Sequence, residues 1–315
     1  MQKLNYLLQK VAPLVAVALL FGLAGCKEAD QDVKPKTVTD VFFENEDFTI
    51  LRAAIKHAGL GDALRTSTLT VFAPNDNAFQ ASGYADAAAI TALPAAAVRQ
   101  ILEYHIMATA IKAEDLGTGT NQEVPTLTNA KAYITKTATG TSINGARVIA
   151  TDLKADNGVI HVIDKLIMPA TRTLLELVQG NEQYSFLVAA ATRAATANPA
   201  VLTALTSENA AYTVFVPTNK AFMDAGFSTV ASLQAVGPTA LASLILYHTV
   251  PGRLFSTNLA TGSITTAANK PLRIDINNGL RVSGPGNMGQ PALVTRADLL
   301  AKNGVIHVID RLLLP

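Results

Sequence analysis

The residues best able to do chemistry in this 315-residue chain are five histidines, one cysteine, a short acidic run and one glycine-rich hexapeptide. Four histidines fall into two sets, His105/His161 and His248/His307. Their spacing fits neither an HExxH helix nor paired Cys/His ligands, so it does not indicate metal chemistry. Core hydrogen bonding is the better account. His57 stands alone and reads as a helix residue at the solvent edge. Gly284-Pro285-Gly286-Asn287-Met288-Gly289 matches GxGxxG literally. That fingerprint works by opening a helix whose N-terminus holds a pyrophosphate. Here Gln290-Pro291 and a strand-like ALVT follow, so the match reads as an exposed hairpin loop and a modest candidate for partner contact. Glu44-Asn45-Glu46-Asp47 precedes a helix, where capping and dipole complementarity explain it better than calcium does. Asp76 reads as turn and cap chemistry rather than as a general acid. There is no GxSxG elbow and no cysteine nucleophile. The sequence therefore predicts no catalytic residue, no metal and no cofactor.

The elements that must position these groups come in duplicate. NGVIHVID fills Asn157 to Asp164 and again Asn303 to Asp310. TVFAPNDNAF (Thr70 to Phe79) returns as TVFVPTNKAF (Thr213 to Phe222), and Tyr104-His105 returns as Tyr247-His248, both 143 residues on. Asn75 and Asp76 thus correspond to Thr218 and Asn219. Since Asn219 carries no carboxyl, Asp76 is a poor candidate for shared proton chemistry. TVTDVFFENEDFTIL (from Thr37) aligns with TLLELVQGNEQYSFL (from Thr173), and KLIMP and RLLLP close the two copies. The second copy carries an insertion within about Thr192 to Ala211 and extra residues before the octapeptide. The chain is a tandem duplication of a domain-sized module, with modules at 37–169 and 170–315. The junction is short, which predicts restricted rather than freely jointed modules.

Within a module, Ile50, Leu51, Ala54, Ile55 and Ala58 follow helical spacing, with Gly59 as a stop. Leu69 to Ala73 reads as a strand ended by Pro74. Asn75, and Thr218 in the second copy, suit the cap of the helix carrying Phe79. Val98, Ile101, Leu102 and His105 lie on one helical stripe, with Tyr104 at its edge. Leu241, Leu244, Ile245 and His248 repeat that pattern. Asn144-Gly145 is a hairpin signal. The octapeptide is a strand apolar on both faces, with a turn at Asn157-Gly158. It predicts buried His161 and His307, each needing a hydrogen-bond partner.

The N-terminus reads as a secretory leader over 1–25. Lys3 and Lys10 precede the apolar run Val11 to Leu23, which is too short to span a bilayer as a helix. Leu23-Ala24-Gly25-Cys26 resembles a bacterial lipobox. That resemblance implies lipid on Cys26, a membrane anchor, and a polar tether over 26–36. Lys27 after the cysteine favours the outer membrane over the inner. A formal net charge of +1 carries no basic footprint and argues against nucleic acid as a partner.

Taken together, the TVF-P box, the Tyr-His pair and NGVIHVID, each present twice and in the same order, resemble a fasciclin domain. The resemblance covers about Thr37 to Pro315. It implies an α+β fold of two modules, each a wedge-shaped β-sandwich with packed helices. It also implies a non-enzymatic extracellular or envelope role in adhesion or in binding a protein or polysaccharide. A structural envelope scaffold is the alternative. In animal relatives the Tyr-His region is linked to receptor binding. The resemblance therefore implies Tyr104, His105, Tyr247 and His248 as partner contacts, beside the core role that the helical stripe gives the histidines.

Overall fold

The computed structural model describes residues 36–315 except Ser67, Ala210 and Met288. The expected leader, Cys26 and all of the tether but Lys36 lie outside the described residues. No helix among the described residues is long and apolar enough to cross a membrane.

The first module contains strands β1 (Leu69–Pro74), β2 (Ile106–Met107), β3 (Gly119–Pro125), β4 (Lys131–Thr137), β5 (Gly140–Ile143), β6 (Ala146–Ala155) and β7 (Gly158–Ile163). They form one sheet in the order β2-β1-β7-β6-β5-β4-β3. β1 and β7 are parallel; the remaining neighbours are antiparallel. β6 pairs with β7 through two register shifts, between Val148 and Ala150 and between Ala150 and Leu153. Asp152 sits in this stretch at φ 57°. Bulges bend a strand and increase its twist. Accordingly Phe72 and Ile163, near one end of the strand order, share a core with Ala132, Ile134 and Ile143 near the other. The sheet folds over itself into a sandwich.

Its other face is covered by helices. Val71 and Ala73 of β1 and Ile160 and Val162 of β7 pack with Leu51, Ile55, Val98 and Leu102. The octapeptide strand is thus covered on both sides, which is why it alternates between two apolar sets. Its first two residues have their own causes. Asn157 Oδ1 accepts from Val38 N at 2.8 Å and Asn157 Nδ2 donates to the Leu64 carbonyl at 2.7 Å, anchoring the module's first helix. A Cβ on Gly158 would lie 2.3 Å from the Leu69 carbonyl oxygen, so β1 can approach only a glycine.

The second module repeats the plan with β8 (Tyr212–Pro217), β9 (Thr249–Pro251), β10 (Gly262–Thr265), β11 (Pro271–Asp275), β12 (Arg281–Ser283), β13 (Ala292–Ala301) and β14 (Gly304–Ile309). The order is β10-β11-β12-β13-β14-β8-β9. The inserted residues lengthen helices: Ser185–Ala195 and Ala200–Thr206 stand where the first module has Thr49–Ala58 and Ala63–Thr66. Asn144-Gly145 is a tight turn with both residues at positive φ (48° and 81°), and the GxGxxG stretch replaces it between β12 and β13. This stretch opens no long helix, only a 3-10 turn at Pro285–Asn287. It is less free than an exposed hairpin would be. Asn287 Oδ1 accepts from Gly284 N at 2.8 Å, and Gly286 N donates to the Leu314 carbonyl at 3.1 Å, so the loop's first half is bound to the chain's last segment.

Candidate functional site

The cap positions show how the duplicated motifs are used. Asn75 Oδ1 accepts from Ala78 N at 2.9 Å and Thr218 Oγ1 accepts from Ala221 N at 3.3 Å, each closing the helix that carries the motif's phenylalanine. Asp76 caps a different helix. Its carboxylate accepts from Ile50 N at 2.8 Å and from the Thr49 hydroxyl, at the start of Thr49–Ala58. Asn219 does the same for Ser185–Ala195, accepting from Phe186 N at 3.1 Å while Nδ2 donates to the Glu182 carbonyl and to Ser185 Oγ. Asn45 of the acidic run accepts from Asp47 N at 2.9 Å. Among the described residues, no group of three or more His, Cys, Asp or Glu is arranged to hold a metal ion. His57 is half-buried, with Nε2 2.9 Å from the Leu93 carbonyl.

The Tyr-His pairs lie in the interior, and this corrects the expectation that the tyrosines sit at an accessible edge. Tyr104 and Tyr247 are 0% exposed, His105 2% and His248 1%. The helix ends at Tyr104, so the tyrosine points past the helical layer into the sandwich. There its hydroxyl donates to the Lys131 carbonyl and accepts from Asn144 Nδ2, both at 2.8 Å. The Tyr247 hydroxyl donates to the Pro271 carbonyl at 2.8 Å. His105 Nδ1 donates to the Ile101 carbonyl at 2.8 Å and Nε2 accepts from Ile167 N at 3.1 Å. His248 makes the same two bonds with Leu244 and Leu313. Burial lowers the pKa of each imidazole to about 4, and a backbone carbonyl only partly offsets it. In this fold none of the four side chains offers a surface to a partner. Each pair ties its helix to the sandwich and to the module's closing segment.

The octapeptide histidines hold loops. His161 Nε2 donates to the Ile111 carbonyl at 3.0 Å, and His307 Nε2 donates to the Leu254 carbonyl at 2.8 Å. Burial lowers both pKa values. Each ring packs against the motif phenylalanine, Phe72 or Phe215, at 5.3 and 5.5 Å between centroids.

The loop that His307 holds is the element that joins the modules. Residues 253–258 lie on the outward face of β4 and β5. Arg253 stacks on the Tyr133 ring, 4.1 Å from its centroid, and Phe255 lies 6.2 Å from that ring. Tyr133, Phe255 and Val305 form an apolar centre with Leu300. Polar contacts surround it. Asn258 Nδ2 donates to Thr135 Oγ1 at 2.9 Å, Ser142 Oγ and Thr257 Oγ1 are 2.9 Å apart, and Asn121 Nδ2 donates to the Arg253 carbonyl. Lys165 Nζ reaches Asp298 Oδ2 at 2.6 Å, and Ser256 donates to the same carboxylate from both N and Oγ at 2.6 Å. Asp298 is almost wholly buried. Burial alone would raise its pKa, but Lys165 and these donors hold it below the ordinary carboxylate range. The modules are therefore docked rather than freely jointed. The sequence reading did not find this interface. Its only sequence signal is that Arg253, Phe255 and Leu300 stand where the first copy has Ala110, Lys112 and Lys154.

A model of the fasciclin domain matches residues 46–169 and 183–315. The chain is 34% identical over 156 residues to Protein sll1483 of Synechocystis sp., covering 49% of this chain and 79% of that protein. It is 30% identical over 175 residues to the transforming growth factor-beta-induced protein ig-h3 of Sus scrofa, covering 55% of this chain and 24% of that protein. It is 26% identical over 266 residues to human periostin, covering 83% of this chain and 29% of that protein. The chain thus spans most of the cyanobacterial relative but only about a quarter of the animal ones. A solved FAS1 domain pair from the insect cell adhesion molecule fasciclin I aligns over 85% of this chain and 97% of that one, with a TM-score of 0.41 and 19% identity.

Proposed function

Because this chain belongs to the fasciclin family, we propose that it is a non-enzymatic binding or adhesion protein of the cell envelope. On this reading it is anchored by lipid on Cys26 and presents its two modules as one unit to an extracellular or envelope protein or polysaccharide. Fasciclin domains in general serve adhesion and extracellular binding, are typically non-enzymatic, and usually belong to extracellular or cell-surface proteins.

The observation that carries the reading is where the duplicated polar groups go. The four motif histidines and both motif tyrosines are all buried and bonded to the backbone. They build the modules and are closed to a substrate, so outward faces remain to do the work. The lipid anchor rests on the leader and Cys26, and the outer membrane on Lys27.

The first test is binding of the labelled chain to intact producer cells, matrix proteins and polysaccharides on one array. Saturable binding to one class is expected. Silence on every surface would remove the adhesion reading in favour of a structural scaffold, to be pursued by crosslinking in the native membrane. Labelled palmitate should enter the expressed chain and be lost in Cys26→Ser; an unlabelled wild type would remove the anchor.

A further inference from the structure

We propose that the outward face of β11 and β12 is a second docking surface, one that takes an acidic segment of a protein partner. This rests on the chain being a binding protein and names one of its partners' features.

The corresponding face in the first module already shows what such a surface does. Tyr133 and Thr135 of β4 and Ser142 of β5 point outward and are covered by the irregular segment 253–258. β11 and β12 alternate in the same way. Leu272, Ile274 and Val282 are fully buried, while Arg273, Asp275, Arg281 and Ser283 line an open hollow of about 260 Å³. Equivalence is fixed by the tyrosines, whose hydroxyls reach the first residue of β4 and of β11, and by the pairs Ile134/Ile143 and Ile274/Val282. Arg273 therefore stands where Tyr133 is, Arg281 where Ser142 is, and Asp275 where Thr135 is. Arg311 stands where Lys165 is, the residue that ion-pairs across the modules.

Among the described residues Arg273 makes no hydrogen bond or ion pair, and Arg281 reaches only the Asn278 carbonyl, at 3.2 Å. Asp275 stands opposite Arg281 across the two strands but accepts from Asn277 N and Nδ2, at 2.9 and 2.8 Å, and forms no ion pair with either arginine. The two guanidinium groups are thus suited to bidentate carboxylate binding. The occupant is a peptide because the equivalent face receives one. It is acidic because two arginines, against one aspartate, replace neutral groups on this face.

A second copy of this chain does not fit. Its matching segment is 110–115, which would bring Lys112 against Arg273, as Phe255 meets Tyr133. It would also bring Asp115 against Asp275, as Asn258 meets Thr135. Glu114 against Arg281, as Thr257 meets Ser142, is the one unlike pair of the three, whereas an acidic segment meets both arginines and one aspartate. Like charges opposed in this way disfavour the pairing. The surface is therefore built for a different protein.

The test is fluorescence anisotropy with labelled hexaglutamate, using the whole chain in detergent. Hexalysine and polygalacturonate serve as comparison probes. Hexaglutamate should bind saturably, weaken with added salt, and lose about tenfold or more in affinity with Arg273→Glu/Arg281→Glu. The melting temperature should be unchanged, and Arg273→Gln/Arg281→Gln should fall between. Four results overturn the proposal: no hexaglutamate binding, equal binding by the charge-reversed variant, polygalacturonate bound in place of hexaglutamate, or wild-type self-association that the variant abolishes. The surface array separates this claim from the broader one. Array binding kept by the charge-reversed variant refutes this face and leaves the adhesion reading standing. An array silent for the wild type refutes that reading whether or not hexaglutamate binds.

Discussion

Lys165 of the first module and Asp298 of the second form an ion pair of 2.6 Å in which the carboxylate side chain is 1% exposed and the lysine side chain 34% exposed. Asp152, the first-module counterpart of Asp298, accepts from Ala113 N at 2.9 Å, as Asp298 accepts from Ser256 N. The duplicated aspartate caps a loop in both copies, and in the second copy it also fastens the modules. Asp298→Asn keeps an acceptor for Ser256 N but removes the charge, and should cost about 2 kcal/mol. Lys165→Met should cost less, about 1 kcal/mol, since the lysine is partly in solvent. Because the residues touch, the double variant should cost less than the two singles added, by about 1 kcal/mol or more. Denaturant melts of all four proteins decide it, and strict additivity would show that the pair fastens nothing.

The buried histidines set a pH dependence. His105 and His248 are neutral in the folded chain, with pKa values lowered to about 4 by burial, while an unfolded histidine titrates near 6.5. Between those values the unfolded chain binds protons that the folded chain refuses. Stability is therefore complete above about pH 6.5 and falls as the pH drops toward 4. Each histidine contributes on the order of 3 kcal/mol to that fall. Melts at pH 7.5 and pH 5 should differ clearly for the wild type and less for His105→Phe, although the variant is weaker at pH 7.5. An unchanged pH difference in the variant would contradict the account.

Gly284 tests why the GxGxxG stretch has its first glycine. A Cβ there would lie 2.0 Å from the Leu314 carbonyl oxygen and 2.5 Å from the Tyr247 hydroxyl, whereas one on Gly289 would meet nothing within 4 Å. Gly284→Ala should cost about 1–3 kcal/mol through overpacking, and Gly289→Ala should stay within about 0.5 kcal/mol. Equal melting temperatures for the two variants would show that the loop does not pack on the closing segment.

The modules were legible in the sequence because duplication doubled each signal. The octapeptide, the TVF-P box and the stripe that carries the Tyr-His pair pointed to one strand, one cap and one helix per copy. What remained hidden depends on partners distant in sequence. Tyr104 reads as an edge residue on a helical wheel, because the wheel stops where the helix stops and says nothing of Lys131 and Asn144 beyond it. Asn157 reads as a turn residue, yet its side chain holds Val38, 119 positions away. The docking of 253–258 on β4 rests on Arg253 and Phe255, whose counterparts Ala110 and Lys112 make the segment look merely variable. Divergence between the copies was the signal there, and a search for repeats passes over divergence.

Asp76 and Asn219 give the most direct test of whether the copies use one residue position for one purpose. Asp76 accepts from Ile50 N at 2.8 Å and from the Thr49 hydroxyl, while Asn219 accepts from Phe186 N at 3.1 Å and donates to the Glu182 carbonyl at 2.8 Å. Asparagine at 76 could make the bonds that Asn219 makes, because Glu46 occupies the place of Glu182 and Thr49 that of Ser185. Asp76→Asn should therefore cost only about 0.5 kcal/mol, the share owed to a negative charge at a helix N-terminus. Asp76→Ala removes the cap and should cost about 1–2 kcal/mol. Asn219→Asp should be near neutral, because the gained charge at the helix start offsets the lost Nδ2 bonds. Thermal melts of the three variants rank them. If Asp76→Asn is as damaging as Asp76→Ala, the carboxylate does something in the first module that capping does not account for.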